Sequence, residues 1–181
     1  MRKFITQKDV DAVKPSEDGV RHFGNDCEFG YSLEFRDKCE FGDNCKFDYW
    51  CKFGNDCKFG GKCEFGHDCQ FGYNCKFGDN CEFDYGCRFN DNCELGHWCK
   101  FDNDCEFENY CKFGTYCNIG QRNRFGNYCK FKDNCIFSND NTFGIRPLFG
   151  IRCCFCAPMT YLEYVERTNR KTNVDEVNSL T

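Results

Sequence analysis

Hydrophobic positions return along most of this chain with a fixed beat of six residues. From Phe23 to Phe149 there are 22 positions at that period, of which 20 hold Phe; Leu95 and Ile119 are the exceptions. A second series from Cys27 to Cys153 holds Cys at 18 of 22 positions, with Leu33, Asn123, Asn141 and Pro147 in the others. No insertion breaks the phase. Each Cys precedes the next Phe by two residues, as in Cys57-Lys58-Phe59. Residues two apart on an extended strand face the same side. Cys and Phe therefore point inward, and the residue between them points out; it is usually charged, as at Glu28, Glu40, Lys46, Lys52, Lys58, Glu64 and Lys76. Gly follows the Phe series at 14 of 22 positions, and Asn or Asp often stands just before Cys. These residues tolerate turn conformations, including positive φ. The pattern predicts a short strand, a tight corner and the same again. A helix is excluded, because six does not fit a period of 3.6 and glycine is too frequent.

The motif F-G-x-[DN]-C-x resembles the hexapeptide repeat of left-handed parallel β-helices, over residues 23 to about 153. That family, which includes many trimeric acyltransferases and the γ-class carbonic anhydrases, carries an aliphatic residue where this chain has Phe. The resemblance implies an all-β fold, a single-stranded left-handed β-solenoid in which three hexads make a triangular coil of 18 residues. About seven coils at a strand spacing of about 4.8 Å give a prism roughly 35 Å long. Handedness comes from the resemblance alone. The ends of such a stack need covers. Residues 1–22 are expected to form an N-terminal cap with a short helix around Thr6–Val13, residues 23–156 the solenoid, and residues 157–181 a C-terminal helix and polar tail. The helix is signalled by Thr160-Tyr161-Leu162-Glu163, which reads as a capping box, with Leu162 and Val165 on one side.

In that register residues 18 apart lie one above another. Phe ladders at the strand spacing fall in the favourable range for ring pairs, and each buried Phe contributes roughly 1.5–3 kcal/mol. Outward charges offer an independent check. Glu28, Lys46 and Glu64 form one alternating column and Lys76, Glu94 and Lys112 another, although Glu64 over Glu82 and Lys58 over Lys76 break the alternation.

Twenty cysteines in 181 residues suggest a disulfide scaffold at first sight. Their regular beat opposes it. Thiols on neighbouring parallel strands have Cβ atoms about 4.8 Å apart with parallel vectors, outside the usual disulfide range. Reduced thiols acting as small apolar filler are expected. Zinc sites want close pairs such as C-x-x-C, and the repeat itself contains none. The CCFC run of Cys153, Cys154 and Cys156 is the one candidate metal or redox cluster. There Cys153 keeps the phase and the other two thiols are expected under the cap. No cofactor is called for. The net charge of -5, with both signs well mixed, argues against nucleic acid as a partner. No apolar run reaches membrane-spanning length, and the N-terminus carries charges where a signal peptide needs an apolar stretch. A cytoplasmic location is expected.

Hexapeptide-repeat acyltransferases typically use a His base, often with a loop that leaves the coil. This chain has no insertion, and of its three histidines His22 precedes the repeat while His67 and His97 sit at corners, five hexads apart. They are weak catalytic candidates, and three histidines around one zinc are hard to assemble from them. The aromatic residues outside the Phe series stand out more. Tyr31, Tyr49, His67 and Tyr85 share one corner on four successive coils, with Trp50 beside Tyr49. Trp98 over Tyr116 and Tyr110 over Tyr128 are shorter columns. Stacking that merely stabilises turns accounts for them; so does an exposed stripe for a protein partner or for self-association. An ice-binding surface would want flat rows of Thr, where this chain has Lys and Glu. The reading is a rigid non-catalytic scaffold, with a hexapeptide-type acyltransferase as first alternative and an acidic decoy or sequestering protein, a viral one included, as second.

Overall fold

A computed structural model of the chain describes residues 4–156. The residue pair that follows each inward Cys forms a minimal strand, as in Lys46–Phe47 and Lys52–Phe53. Three strands complete a turn, and each then pairs in parallel with the strand 18 residues away, Glu28 with Lys46 and Lys46 with Glu64. The strands fall into three parallel sheets. Sheet A runs from Glu28–Phe29 to Cys154–Phe155 and sheet B from Arg21–Phe23 to Leu148–Phe149, with eight strands each; sheet C runs from Glu34–Phe35 to Thr142–Phe143, with seven. The protein is thus an all-β parallel solenoid of nearly eight coils rather than seven, because Arg21–Phe23 and Cys154–Phe155 lengthen the stack at its two ends. The chain visits the sheets in the order A, C, B, so the corners are A–C, C–B and B–A.

The interior is built from two kinds of column. Phe rings 18 apart stack nearly parallel, Phe47 on Phe65 at 4.9 Å and 2°. Rings one hexad apart meet edge to face, Phe47 and Phe53 at 5.0 Å and 87°. Both arrangements satisfy the ring quadrupole, so the core gains directional contacts beyond area burial. The in-phase cysteines from Cys39 to Cys135 are fully buried, and all cysteines are free thiols. They are more than filler. From Cys45 onward each of these thiols donates to the carbonyl 21 residues earlier, as Cys45 to Gly24, Cys81 to Gly60 and Cys93 to Gly72 at 3.3–3.4 Å. Asn141 stands in for a cysteine and makes the same bond, from Nδ2 to the Gly120 carbonyl at 2.9 Å. The inward position therefore wants a small donor as well as a small volume.

The glycine after Phe plays a different part from the expected one. Among the repeat's glycines only Gly86 has positive φ. The left-handed residue is the one two places later, just before Cys, from Asp26 to Arg152. Glycine after Phe instead permits close stacking of coils: a Cβ on Gly78 would lie 2.6 Å from the Gly61 nitrogen, and one on Gly96 2.5 Å from the Gly78 carbonyl.

Outside, the charge columns hold, and the two breaks resolve into pairs. Glu64 bonds Lys46 at 2.7 Å while Glu82 turns to Lys100 at 2.6 Å, so the stacked glutamates face away from each other. Lys58 likewise pairs with Glu40, and Lys76 with Glu94. Exposed pairs of this kind stabilise by less than about 1 kcal/mol each, and their main effect is to disfavour slipped pairing.

Helix α1 (Gln7–Ala12) caps the first coil where the sequence predicts it, with Val10 buried against the core. Asp9 accepts the Thr6 backbone N–H at 3.0 Å, closing the helix start. The first-coil edges of sheets A and C are also covered. Ile5 pairs by its backbone over Phe29 in sheet A, and the Gln7 carboxamide both donates to and accepts from the Glu34 backbone in sheet C. A side-chain amide here imitates a strand and blunts the edge. The expected C-terminal helix lies outside the described residues. Among the described residues no helix is long and apolar enough to cross a membrane.

Candidate functional site

At half of the corners the residue two after the Phe position is Asn or Asp, and its side chain can accept a backbone N–H from the coil above. Asn25 accepts from Asp43 at 2.9 Å, Asp79 from His97 at 2.7 Å and Asp91 from Asn109 at 2.7 Å. These ladders satisfy corner donors that the sheets leave over. On the A–C corner the position holds Tyr31, Tyr49, His67 and Tyr85, none of which supplies that oxygen. The structure compensates within the coil. Asp replaces Gly after Phe, and its carboxylate accepts the next N–H: Asp48 from Tyr49 at 2.9 Å, Asp84 from Tyr85 at 2.8 Å and Asp102 from Asn103 at 2.8 Å. The ladder resumes at Gln121, whose N–H reaches Asn103.

The aromatic column is tightly built. Tyr31 stacks on Tyr49 at 5.5 Å and Tyr49 on His67 at 4.9 Å, with ring planes within 11° and 4°. Tyr85 continues it, tilted, at 6.2 Å from His67. Trp50 stands perpendicular to both Tyr49 and His67, lying across the edges of the stacked rings. It is 52% exposed, Tyr31 61% and Tyr85 48%. Stacked rings hide their faces from solvent and present edges; Trp50 stands outside the stack, perpendicular to it, and lines the sheet C side. Its backbone is left-handed, φ 62°, a conformation that costs a bulky residue about 1–2 kcal/mol.

Two grooves flank this ridge. One of about 870 Å³ runs along sheet A beside Lys46, Asp48, Glu64, Asp84 and Asp102. The other, of about 480 Å³, lies on the sheet C side and is lined by Trp50, Lys52, Asp68, Gln70, Gly86 and Arg88. Gly86 keeps the second groove open: a Cβ there would meet the Asp68 carboxylate at 2.7 Å.

The remaining candidates separate. Trp98 stacks on Tyr116 at 5.8 Å on the B–A corner, and Tyr110 on Tyr128 at 5.1 Å on the C–B corner. All four occupy left-handed positions, but neither pair adjoins the A–C column. The histidines lie on different corners. His67 Nδ1 is 3.0 Å from Asp68 Oδ2, and His97 Nδ1 is 2.7 Å from the Thr115 hydroxyl. Cys153 is in phase, donating to the Lys132 carbonyl at 3.4 Å, whereas Cys154 and Cys156 are exposed. Among the described residues no group of three or more His, Cys, Asp or Glu side chains is placed to hold a metal ion. The sequence reading misses Asp48, Asp84, Asp102 and Gly86; their signal is present, because Asp directly after Phe and Gly directly before Cys occur on this corner alone.

No family model matches the chain, and no curated protein or solved structure matches it.

Proposed function

We propose that this solenoid is a rigid scaffold, acting without catalysis, that engages a protein partner or a second copy of itself through the A–C corner. One observation carries the reading. The corner gives up its side-chain hydrogen-bond ladder for a column of exposed and half-exposed aromatics and replaces three of the four lost acceptors with Asp48, Asp84 and Asp102. Turn stabilisation alone is served by Asn and Asp, as the other corners demonstrate. Aromatic residues are enriched at interface cores because they bury large area at small entropic cost. A solenoid with an interdigitated core suits such a role, since a preorganised surface loses little freedom on binding.

The test replaces Tyr31, Tyr49 and Tyr85 together by Ser. Co-purification of partner and sedimentation velocity are expected to show weakened association, with an unchanged circular dichroism spectrum. Unaltered partner binding and oligomeric state would refute the proposal. A second reading, acyl transfer with His67 as base, has the Asp68 carboxylate beside Nδ1 in its favour. An acyl-transfer assay with His67→Ala and His97→Ala separates the two; only a loss of turnover in one of these variants supports chemistry.

A further inference from the structure

The formal charge of -5 is spread unevenly over the surface. On the A–C corner stand Asp48, Asp68, Asp84, Asp102, Asp104 and Asp140, with Arg122 as the one Lys or Arg among the described residues of that corner. Arg122 is already held by Asp104, at 2.7 and 2.9 Å, and keeps that carboxyl below the usual range. The other two corners interleave their carboxylates with cations, such as Arg36, Lys38 and Arg146 on the C–B corner and Lys62, Lys132 and Arg152 on the B–A corner. The outward strand positions of sheet B favour lysine, with Lys58, Lys76, Lys112 and Lys130. Negative charge is thus concentrated on the corner that also carries the aromatic ladder: Asp48, Asp84 and Asp102 line the sheet A groove with Lys46 and Lys100, while Asp68 and Glu34 line the other, where Lys52 and Arg88 balance them.

We infer that the partner of the A–C corner is an extended, arginine-rich polypeptide segment; this rests on the proposed function and specifies the partner it takes. The carboxylates from Asp48 to Asp140 span five coil rises, about 24 Å at the strand spacing, which an extended chain covers with roughly seven residues. Guanidinium groups pair bidentately with carboxylates. They also stack on aromatic rings, and Trp50, 52% exposed, lines the groove that contains Asp68. Lysine meets the charge but not the planar geometry.

The probe is a fluorescein-labelled peptide of alternating Arg and Gly, compared with Lys–Gly and Glu–Gly peptides by anisotropy on the full chain at physiological salt. Arg–Gly is expected to bind saturably, Lys–Gly more weakly and Glu–Gly not at all. Asp68→Asn, Asp84→Asn and Asp102→Asn together keep the acceptor oxygens that cap the turns and are expected to weaken Arg–Gly binding at least tenfold. Asp37→Asn, Asp43→Asn and Asp56→Asn together change the net charge equally on the other corners and should leave binding within about twofold. Equal losses in the two triple variants, or an Arg–Gly peptide that binds no better than Glu–Gly, would overturn the inference. Should the Tyr-to-Ser variant lose its partner while the Asp68/Asp84/Asp102 variant keeps the Arg–Gly peptide, the charge inference alone fails. Should the Tyr-to-Ser variant keep its partner, the proposed function fails with it.

Discussion

At the scale of single residues the repeat asks for two unusual things, and they sit at different positions. A left-handed backbone is needed just before each Cys, where Asn and Asp are common and Lys62 (φ 58°) is strained. Lys62→Asn should stabilise by on the order of 1 kcal/mol, raising the melting temperature by about 2–4 °C; no rise would show that this backbone carries no strain. Space is needed just after each Phe. Gly78→Ala puts a methyl 2.6 Å from backbone and should destabilise by about 1–3 kcal/mol, measured by urea unfolding. Local shifts relieve part of the clash, as Asp48 and Lys132 at equivalent positions demonstrate. Composition at the corner is legible in the sequence, but the two needs are not distinguishable there, because Gly answers to either. Only the distance between stacked coils assigns close approach to one position and positive φ to the other.

At the scale of elements the period foretells which residues face inward, and the hexapeptide-repeat resemblance adds three hexads to a coil; together they give the three sheets, the 18-residue pairing, the Phe ladders and the charge columns. Reduced, buried thiols follow from the same geometry. A thiol reagent should modify Cys154 and Cys156 rapidly in the native protein and all 20 cysteines in denaturant without reductant. A denatured count well below 20 would mean disulfides. The edge cover is different in kind. Gln7 acts once, outside the repeat, by imitating a backbone amide, and a single polar side chain in a short cap carries no periodic signal. Gln7→Ala should cost about 1 kcal/mol, read as a lower urea midpoint; an unchanged midpoint would mean the edge is satisfied without it.

At the scale of the whole molecule the packed thiols make stability depend on pH in a defined direction. Contact with the Cys117 thiol, followed by burial, pushes Cys99 up to about 12, and burial raises Cys27. An unfolded chain ionises its thiols near pH 9, whereas thiols raised in this way stay protonated in the fold. Their contribution is complete below that value and is lost as pH rises toward 12, by up to a tenfold change in the unfolding equilibrium per pH unit for each such thiol. Melting temperature should be flat from pH 6 to 8 and fall above about 9; a flat profile to pH 10 would contradict raised thiols such as Cys27 and Cys99. The candidate site is legible only in part at this scale. Its aromatic column appears once the chain is read 18 residues at a time, whereas the concentration of carboxylates around it emerges only when charges are summed by corner instead of along the chain. The central claim is that the A–C corner, rather than the repeat in general, is the recognition surface. Its most direct test measures partner binding in parallel for three variants: Tyr31/Tyr49/Tyr85→Ser, Trp98/Tyr116→Ser and Tyr110/Tyr128→Ser. The account predicts the largest loss in the first, with all three folded; equal binding by the three and the wild type would contradict it.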